Sequence, residues 1–210
     1  MVPEKTVERL LLYRDALAKL AADGVENVYS KRLAELTGRT AAQVRRDIMT
    51  VGYSGNPNYG YNVVGLHRGI GEFLELDAGT TLALAGVGNL GRAILRYFSK
   101  LRPRFEVVGA FDADAQKTGR VISGCHCHPI AELPQRLSAE RVDLGILTVP
   151  DPAAQPVATA FVEAGVSGLI NFTSERLTVP ARVFVEDVNL LSVFDKAGYF
   201  SRLSQQDNRA

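Results

Sequence analysis

Three glycines and one acid carry the most chemically pointed spacing in this 210-residue chain. Gly86, Gly88 and Gly91, in "LALAGVGNLGRAIL", form a Gly-x-Gly-x-x-Gly turn between an apolar run and a helical pattern. The first glycine permits a sharp turn, the second lets backbone approach a pyrophosphate, and the third lets a helix close on a sheet. Backbone N–H groups at the start of that helix, in the stretch that includes Val87, Asn89 and Leu90, then hold an anion without needing a lysine. Asp112 follows about 20 residues beyond Gly91, at the end of the next expected strand. There a carboxylate accepts from an adenosine ribose 2′-hydroxyl and repels a 2′-phosphate, which predicts NAD(H) in preference to NADP(H). Coenzyme A, another adenosine cofactor, is the alternative ligand.

Cys125 to His128, "CHCH", places four metal-ligating side chains in a row. Alternate side chains of a strand point to opposite faces, so these four converge on an ion only if the chain bends. No metal site is expected. The pattern reads as partly buried cysteines in a short strand, with a structural zinc or a redox-active thiol as the alternatives. The two cysteines are too close in sequence for an ordinary disulfide, which fits a reducing compartment.

The elements that must position these groups fall into two halves with different periods. Up to about residue 75 apolar residues recur at helical spacing, and from 81 onward short apolar runs alternate with helical segments. The boundary lies near "LELDAGTT". Behind it come strands "TLALAG", "FEVVGAFD", a short one around "GRVISGCHCHPI", "VDLGILTVP", "GLINFT" and "RVFVEDVN", with helices "GRAILRYFSKL", "IAELPQRLSA" and "PAAQPVATAFVEAG" between. Such alternation predicts a parallel sheet wound on both faces, a Rossmann-type α/β domain.

In the front half Val7, Leu10, Leu11, Leu17, Leu20 and Ala21 form a helical stripe that stops at Asp23 and Gly24. A short helix, "SKRLAELTG", opens with Ser30 as the expected N-cap and closes on Gly38. The next, "TAAQVRRDIMTVG", starts with a capping box, Thr40 accepting from the Gln43 amide while Gln43 reaches back. Val44, Ile48 and Val51 form its buried face, leaving Arg45 and Arg46 off it. Two short helices around a glycine turn are the helix-turn-helix pattern, although plain helical hairpins share it. Residues 28 to 55 hold five basic and two acidic side chains, a local charge that phosphates favour. "GYSGNPNYGYNV" then has the chemistry of a hairpin tip, the wing of a winged helix. The expected DNA-facing residues are Lys31, Thr40, Gln43, Arg45 and Arg46, with Asn58, Tyr59, Gly60 and Tyr61 in the wing.

Globally, 24 basic residues balance 23 acidic ones, a net charge of +1, so no overall field draws the chain to nucleic acid or membrane. A 46% hydrophobic content supplies an ordinary core. With no long apolar run and acids where a signal peptide would be apolar, a cytoplasmic protein without a membrane partner is expected.

A winged helix followed by "ALAGVGNLGRA" resembles the Rex redox-sensing transcriptional repressors of bacteria. The segments "VPEKTVERL", "TAAQVRRDI", "GYN", "GVGNLGRA", "FDAD", "ILTVP" and "GLINF", in this order, spread the resemblance over almost the whole chain. It implies a winged-helix domain over 1–78, a Rossmann NAD(H) domain over 79–188, and a C-terminal helix over 189–210 that swaps onto a second subunit. It further implies a homodimer that represses from a palindromic, A·T-rich operator and releases it when NADH replaces NAD+. On matching positions Gly86, Gly88, Asn89 and Gly91 hold pyrophosphate, Asp112 holds the adenosine ribose, and Thr148, Val149 and Pro150 line the cofactor. Tyr97 is expected near the nicotinamide end.

Three departures from the family stand out. An aspartate and a phenylalanine usual by the nicotinamide are Asn189 and Leu190 here, and a first-helix arginine falls at or beside Asp15. Lysine and arginine usual in the wing fall at Asn56 and Pro57, which predicts a flatter salt dependence of DNA binding. A dehydrogenase is the rival reading, but it needs a proton donor over the nicotinamide. His67 precedes the α/β fold, His126 and His128 sit on its third strand, and Tyr97 is better placed for packing, so no enzyme is expected. A DNA binder that holds NAD(H) without redox response is the other alternative.

Overall fold

The computed structural model describes residues 2–76, 78–101 and 104–207, with side chains up to 203. Asp77 of the expected boundary stretch and residues 208–210 of the expected C-terminal segment lie outside the described residues. The chain divides into two compact units between Ala78 and Gly79.

The first unit runs α1 (Glu4–Ala22), β1 (Asn27–Val28), α2 (Ser30–Thr37), α3 (Ala41–Val51), β2 (Tyr61–Asn62) and α4 (Val63–Phe73), with β1 and β2 antiparallel. Its core gathers Leu10, Tyr13, Leu17, Leu33, Val44, Ile48, Leu66 and Ile70, and each such aliphatic side chain contributes about 1.5 to 3 kcal/mol by leaving water. The buried face of α1 is Thr6, Leu10, Tyr13 and Leu17, whereas Leu11, expected in the stripe, is 38% exposed. Hydrophobicity alone misplaced that stripe because Tyr13 enters the core with its hydroxyl satisfied by Asp47.

Helix ends follow the sequence closely. Gly38 closes α2 in the left-handed conformation. Ser30 is the first helical residue instead of the cap, which is Tyr29 and makes no side-chain cap bond. Thr40 accepts from the Gln43 N–H at 3.2 Å, half of the expected capping box. The other half is absent, since the Gln43 amide instead donates to Asp47 at 2.9 Å, where it meets a charged acceptor.

The second unit holds β3 (Thr80–Ala85), α5 (Asn89–Phe98), β4 (Phe105–Asp112), β5 (Val121–Ile122), β6 (Cys125–Pro129), a 3₁₀ turn (Ile130–Glu132), α6 (Leu133–Ser138), β7 (Leu144–Leu147), α7 (Asp151–Glu163), β8 (Gly168–Asn171), β9 (Phe184–Asp187) and α8 (Leu190–Asp207). The sheet order is β5-β6-β4-β3-β7-β8-β9, parallel except for the β5–β6 hairpin. Residues of β3 alternate between two cores. Ala83 and Ala85 pack with Phe111, Leu147 and Phe161, while Leu82 and Leu84 pack with Leu95, Ala110 and Ile146. The chain winds to β4 on one side of β3 and to β7 on the other, so a switch point opens at the carboxyl ends of β3 and β7.

In β6 Cys125 and Cys127 turn into a core, while His126 and His128 lie on the other face with rings 6.2 Å apart. The four groups therefore do not converge, and no cluster suited to a metal occurs among the described residues. α8 passes through Gly198, the residue type expected to interrupt the C-terminal helix, without a break. One glycine costs a helix only about 1 kcal/mol relative to alanine. No described helix is long and apolar enough to cross a membrane.

Candidate functional site

At the switch point lies a cleft of about 670 Å³ lined by Gly86, Gly88, Asp112, Lys117, Thr148, Val149 and Pro150 among others. The three glycines shape the turn beside it for different reasons, Gly86 and Gly88 from its lining. Gly86 has φ of 96°, and a Cβ there would strike the backbone of Thr148. At Gly91 a Cβ would strike the Gly86 carbonyl, so helix and turn close only on hydrogen. A Cβ on Gly88 would meet nothing within 4 Å. That leaves open space in front of the first turn of α5, the room that a dinucleotide's pyrophosphate would need. Thr148 fastens the turn from β7, its hydroxyl bonding to the carbonyls of Gly86 at 2.7 Å and Ala85 at 3.1 Å.

Asp112 ends β4 at the rim of the cleft. Its Oδ2 accepts from the Val87 N–H at 2.7 Å and from Lys117 Nζ at 3.1 Å, and its Oδ1 accepts from the Asp114 N–H at 2.9 Å. Burial pushes this carboxyl up, but the bonds from Asp114, Lys117 and Val87 outweigh it and hold it below the usual carboxylate range. The acid is thus charged and held in place at the rim. Sequence reading missed Lys117, whose only signal is a lysine five residues beyond the acid in "FDADAQK".

Not every expected cofactor residue comes to the cleft. The side chain of Val87 is core and only its N–H serves the site. Asn89 and Leu90 begin α5 with exposed side chains outside the lining. Tyr97 lies near the far end of α5, 63% exposed and edge-on to Phe98. Asn189 also lies outside the lining, where its Oδ1 accepts from the Ser192 N–H at 3.0 Å and caps α8. His126 and His128 do not line the cleft. Burial pushes the Cys127 thiol up, away from the reactive thiolate, with Asp112 adding to the shift.

The first unit presents a second surface. Arg45 and Arg46 are exposed on α3, and Arg45 donates to the Ser30 hydroxyl at the start of α2 at 3.1 Å. Lys31 and Thr40 are exposed beside them. The wing is tightly tied. Asn56 and Gly60 exchange backbone bonds of 2.6 and 2.7 Å, the Asn56 side chain accepts from the Asn58 N–H, and the Tyr29 hydroxyl bonds the Asn58 carbonyl. Tyr59 stands out at the tip, while Tyr61 lies half-buried against Tyr53.

Behind α3 lies a network that sequence reading did not find. Asp47, 2% exposed, accepts from Arg9 Nε at 2.7 Å and Nη2 at 2.8 Å, from the Tyr13 hydroxyl at 2.9 Å and from Gln43. Burial pushes the Asp47 carboxyl up, and the bonds from Arg9, Gln43 and Tyr13 more than reverse it. Gln43 is thereby drawn to the flank of α3, leaving Arg45 and Arg46 outward.

Fold and site define a class: a winged-helix unit joined to a Rossmann-type unit with a dinucleotide-binding turn. Family models agree with both parts, a putative DNA-binding protein N-terminus matching residues 1–48 and a CoA binding domain matching residues 77–175. The chain is 39% identical over 199 residues to the redox-sensing transcriptional repressor Rex of Lactobacillus acidophilus, covering 95% of this chain and 94% of that one. With the Rex of an Exiguobacterium it shares 38% over 95% of this chain and 91% of the relative. Among solved structures, RSP, a Rex-family repressor, superposes with a TM-score of 0.91 in its complex with NAD+ and operator DNA, at 30% identity over 100% of this chain and 96% of RSP. RSP with NADH gives 0.88 at 29% identity over 100% and 98%. The chain belongs to the Rex family of redox-sensing transcriptional repressors.

Proposed function

We propose that this protein represses transcription in the cytoplasm as a homodimer on a palindromic, A·T-rich operator, and lets go when NADH replaces NAD+. The observation that carries the reading is the match along the full chain to RSP, crystallised with NAD+ and operator DNA and with NADH. Both the α3 surface and the glycine turn lie within that match. Bound at the cleft, the dinucleotide supplies a nicotinamide ring that is cationic when oxidised and neutral when reduced.

This chain's residues hold its other parts. Gly86, Gly88 and the start of α5 take the pyrophosphate, Asp112 the adenosine ribose, and Thr148, Val149 and Pro150 the nicotinamide side. Leu191 and Phe194 of α8, each 73% exposed in the single chain, give the described part of α8 an apolar face for a second subunit, a cover that hydrophobic burial favours. Tyr97 and Asn189 reach the nicotinamide only across such a seam. A site there prefers one intersubunit angle with the cation and another with the neutral ring, and the angle sets the spacing of the two α3 helices against two half-sites.

The test is operator binding with NAD+ and NADH added in turn, beside a titration with coenzyme A. Release by NADH at concentrations where NAD+ leaves the complex intact is expected. Binding that ignores both forms would make this a repressor without redox response, a reading that the uncharged, capping Asn189 favours. Preference for coenzyme A over NADH would overturn the cofactor assignment.

A further inference from the structure

The most exposed large apolar side chain among the described residues lies on α3: Met49, at 76%. Val44, Asp47 and Ile48 form the buried side of this helix. Ala42, Arg46 and Met49, at i, i+4 and i+7, share the opposite side and are all exposed. An unbranched thioether left in water gains nothing for the fold. Its surroundings also argue against a protein partner of ordinary composition, because Arg45 and Arg46 flank it and Lys31, Arg32 and Arg39 complete a cationic patch with only Glu35 and Asp47 against it in residues 28–55. A partner that welcomes both cations and an apolar tip is the DNA major groove, where phosphates line the edges and thymine C5-methyl groups project from the floor.

We propose that Met49 is a specificity-determining residue that reads a thymine methyl in each half-site, beside a base edge taken by Arg46. The proposal rests on α3 being the DNA-reading helix, and it adds what that helix selects. Arg46 makes no side-chain hydrogen bond among the described residues, so it is available to the base next to the methyl, while Arg45 leans to Ser30 at the edge of the patch. The Met49 side chain is long and flexible enough to follow the groove floor. Because it supports no core, replacing it leaves the fold intact.

The experiment uses the full chain and a palindromic duplex that it selects from a randomised pool. Each thymine is replaced in turn by deoxyuridine, which deletes the methyl and nothing else, and affinities are measured for wild type and Met49→Ser, whose thermal unfolding should coincide. Wild type should lose about three- to five-fold in affinity per half-site at one thymine position, the worth of one buried methyl. Met49→Ser should bind the unsubstituted duplex weaker by at least that factor and be indifferent to uridine at that position. Wild-type binding that ignores uridine everywhere, or a uridine penalty that survives in Met49→Ser, overturns the assignment while leaving the DNA-binding reading in place. Failure of the wild type to select any duplex overturns that reading, and the assignment with it.

Discussion

Each unit of this molecule buries one aspartate and gives it a cation, and the two pairs differ in where the cation comes from and in what remains open beside it. Asp47 receives Arg9 from a helix 38 residues away, and its carboxylate is closed off by Tyr13 and Gln43. Asp112 receives Lys117 from five residues along its own loop and stands at the mouth of a cleft. A long-range, sealed pair fixes one helix against another. A local pair on a rim leaves a charged acid facing open space, where the proposed ribose would meet it. Two acids with carboxyls held low by the same kinds of bonds therefore differ in access, not in charge.

The sharpest way to break that contrast is to remove Asp47. Asp47→Ala leaves the part-buried Arg9 and the buried Tyr13 hydroxyl without their shared acceptor, which should cost the first unit about 2 to 4 kcal/mol, measured by chemical denaturation. Dinucleotide affinity of the folded fraction should stay unchanged. Acid approaches the same loss by titration. The Asp47 carboxyl sits below its unfolded value of about 3.9, so its contribution is complete above that pH and drains away as pH falls through the folded value. Wild type should thus lose stability in the first unit below about pH 4, and Asp47→Ala should show a shallower acid slope. An equal slope in both would show that Asp47 is not the titrating group.

Asp112→Asn should do the reverse. The change keeps the shape but removes the charge that a ribose hydroxyl donates to, so NADH affinity should fall about 10- to 100-fold, the equivalent of about 1.5 to 3 kcal/mol for a charged hydrogen bond. Titration of the apo-protein by NADH fluorescence measures it. Unfolding of the first unit should not move. A large fall in global stability with unchanged NADH affinity would make Asp112 a second staple and erase the difference between the two acids.

That difference was only half visible in the sequence. Asp112 announces itself because a glycine turn and the end of a strand fix where it must sit, and both are local features. Asp47 does not, since its partners Arg9 and Tyr13 come from a helix whose rotation no local rule sets. A stripe drawn from hydrophobicity put Leu11 inside and left Tyr13 out. The capping box shows the same limit: Thr40 behaves as the local pattern dictates, while Gln43 is claimed by a charge that only the tertiary fold brings near. Strands and helices of the second unit were legible because their period changes cleanly. α4 was not foreseen as a separate helix, and the strand at "CHCH" proved to be part of a hairpin. Tyr97 and Asn189 took their expected roles from resemblance alone, and a single chain leaves both away from the cleft.

The smallest effect tests the contrast most finely. In Lys117→Met the Asp112 carboxylate keeps the N–H groups of Val87 and Asp114, and the lost pair is partly exposed, with side-chain accessibilities of 25% and 10%. Stability should therefore change by no more than about 1 kcal/mol. NADH affinity should stay within about three-fold, because the two backbone donors still orient the acid, and one weakly coupled contact of about 0.5 kcal/mol corresponds to little more than a factor of two. NADPH should lose more than NADH does, since its 2′-phosphate would meet the carboxylate with no lysine to offset it. Calorimetric titration with both dinucleotides gives the two numbers. If NADH binding falls as far as in Asp112→Asn, the lysine and the acid act as one unit, as Arg9 and Asp47 do, and the rim pair is no more yielding than the sealed one.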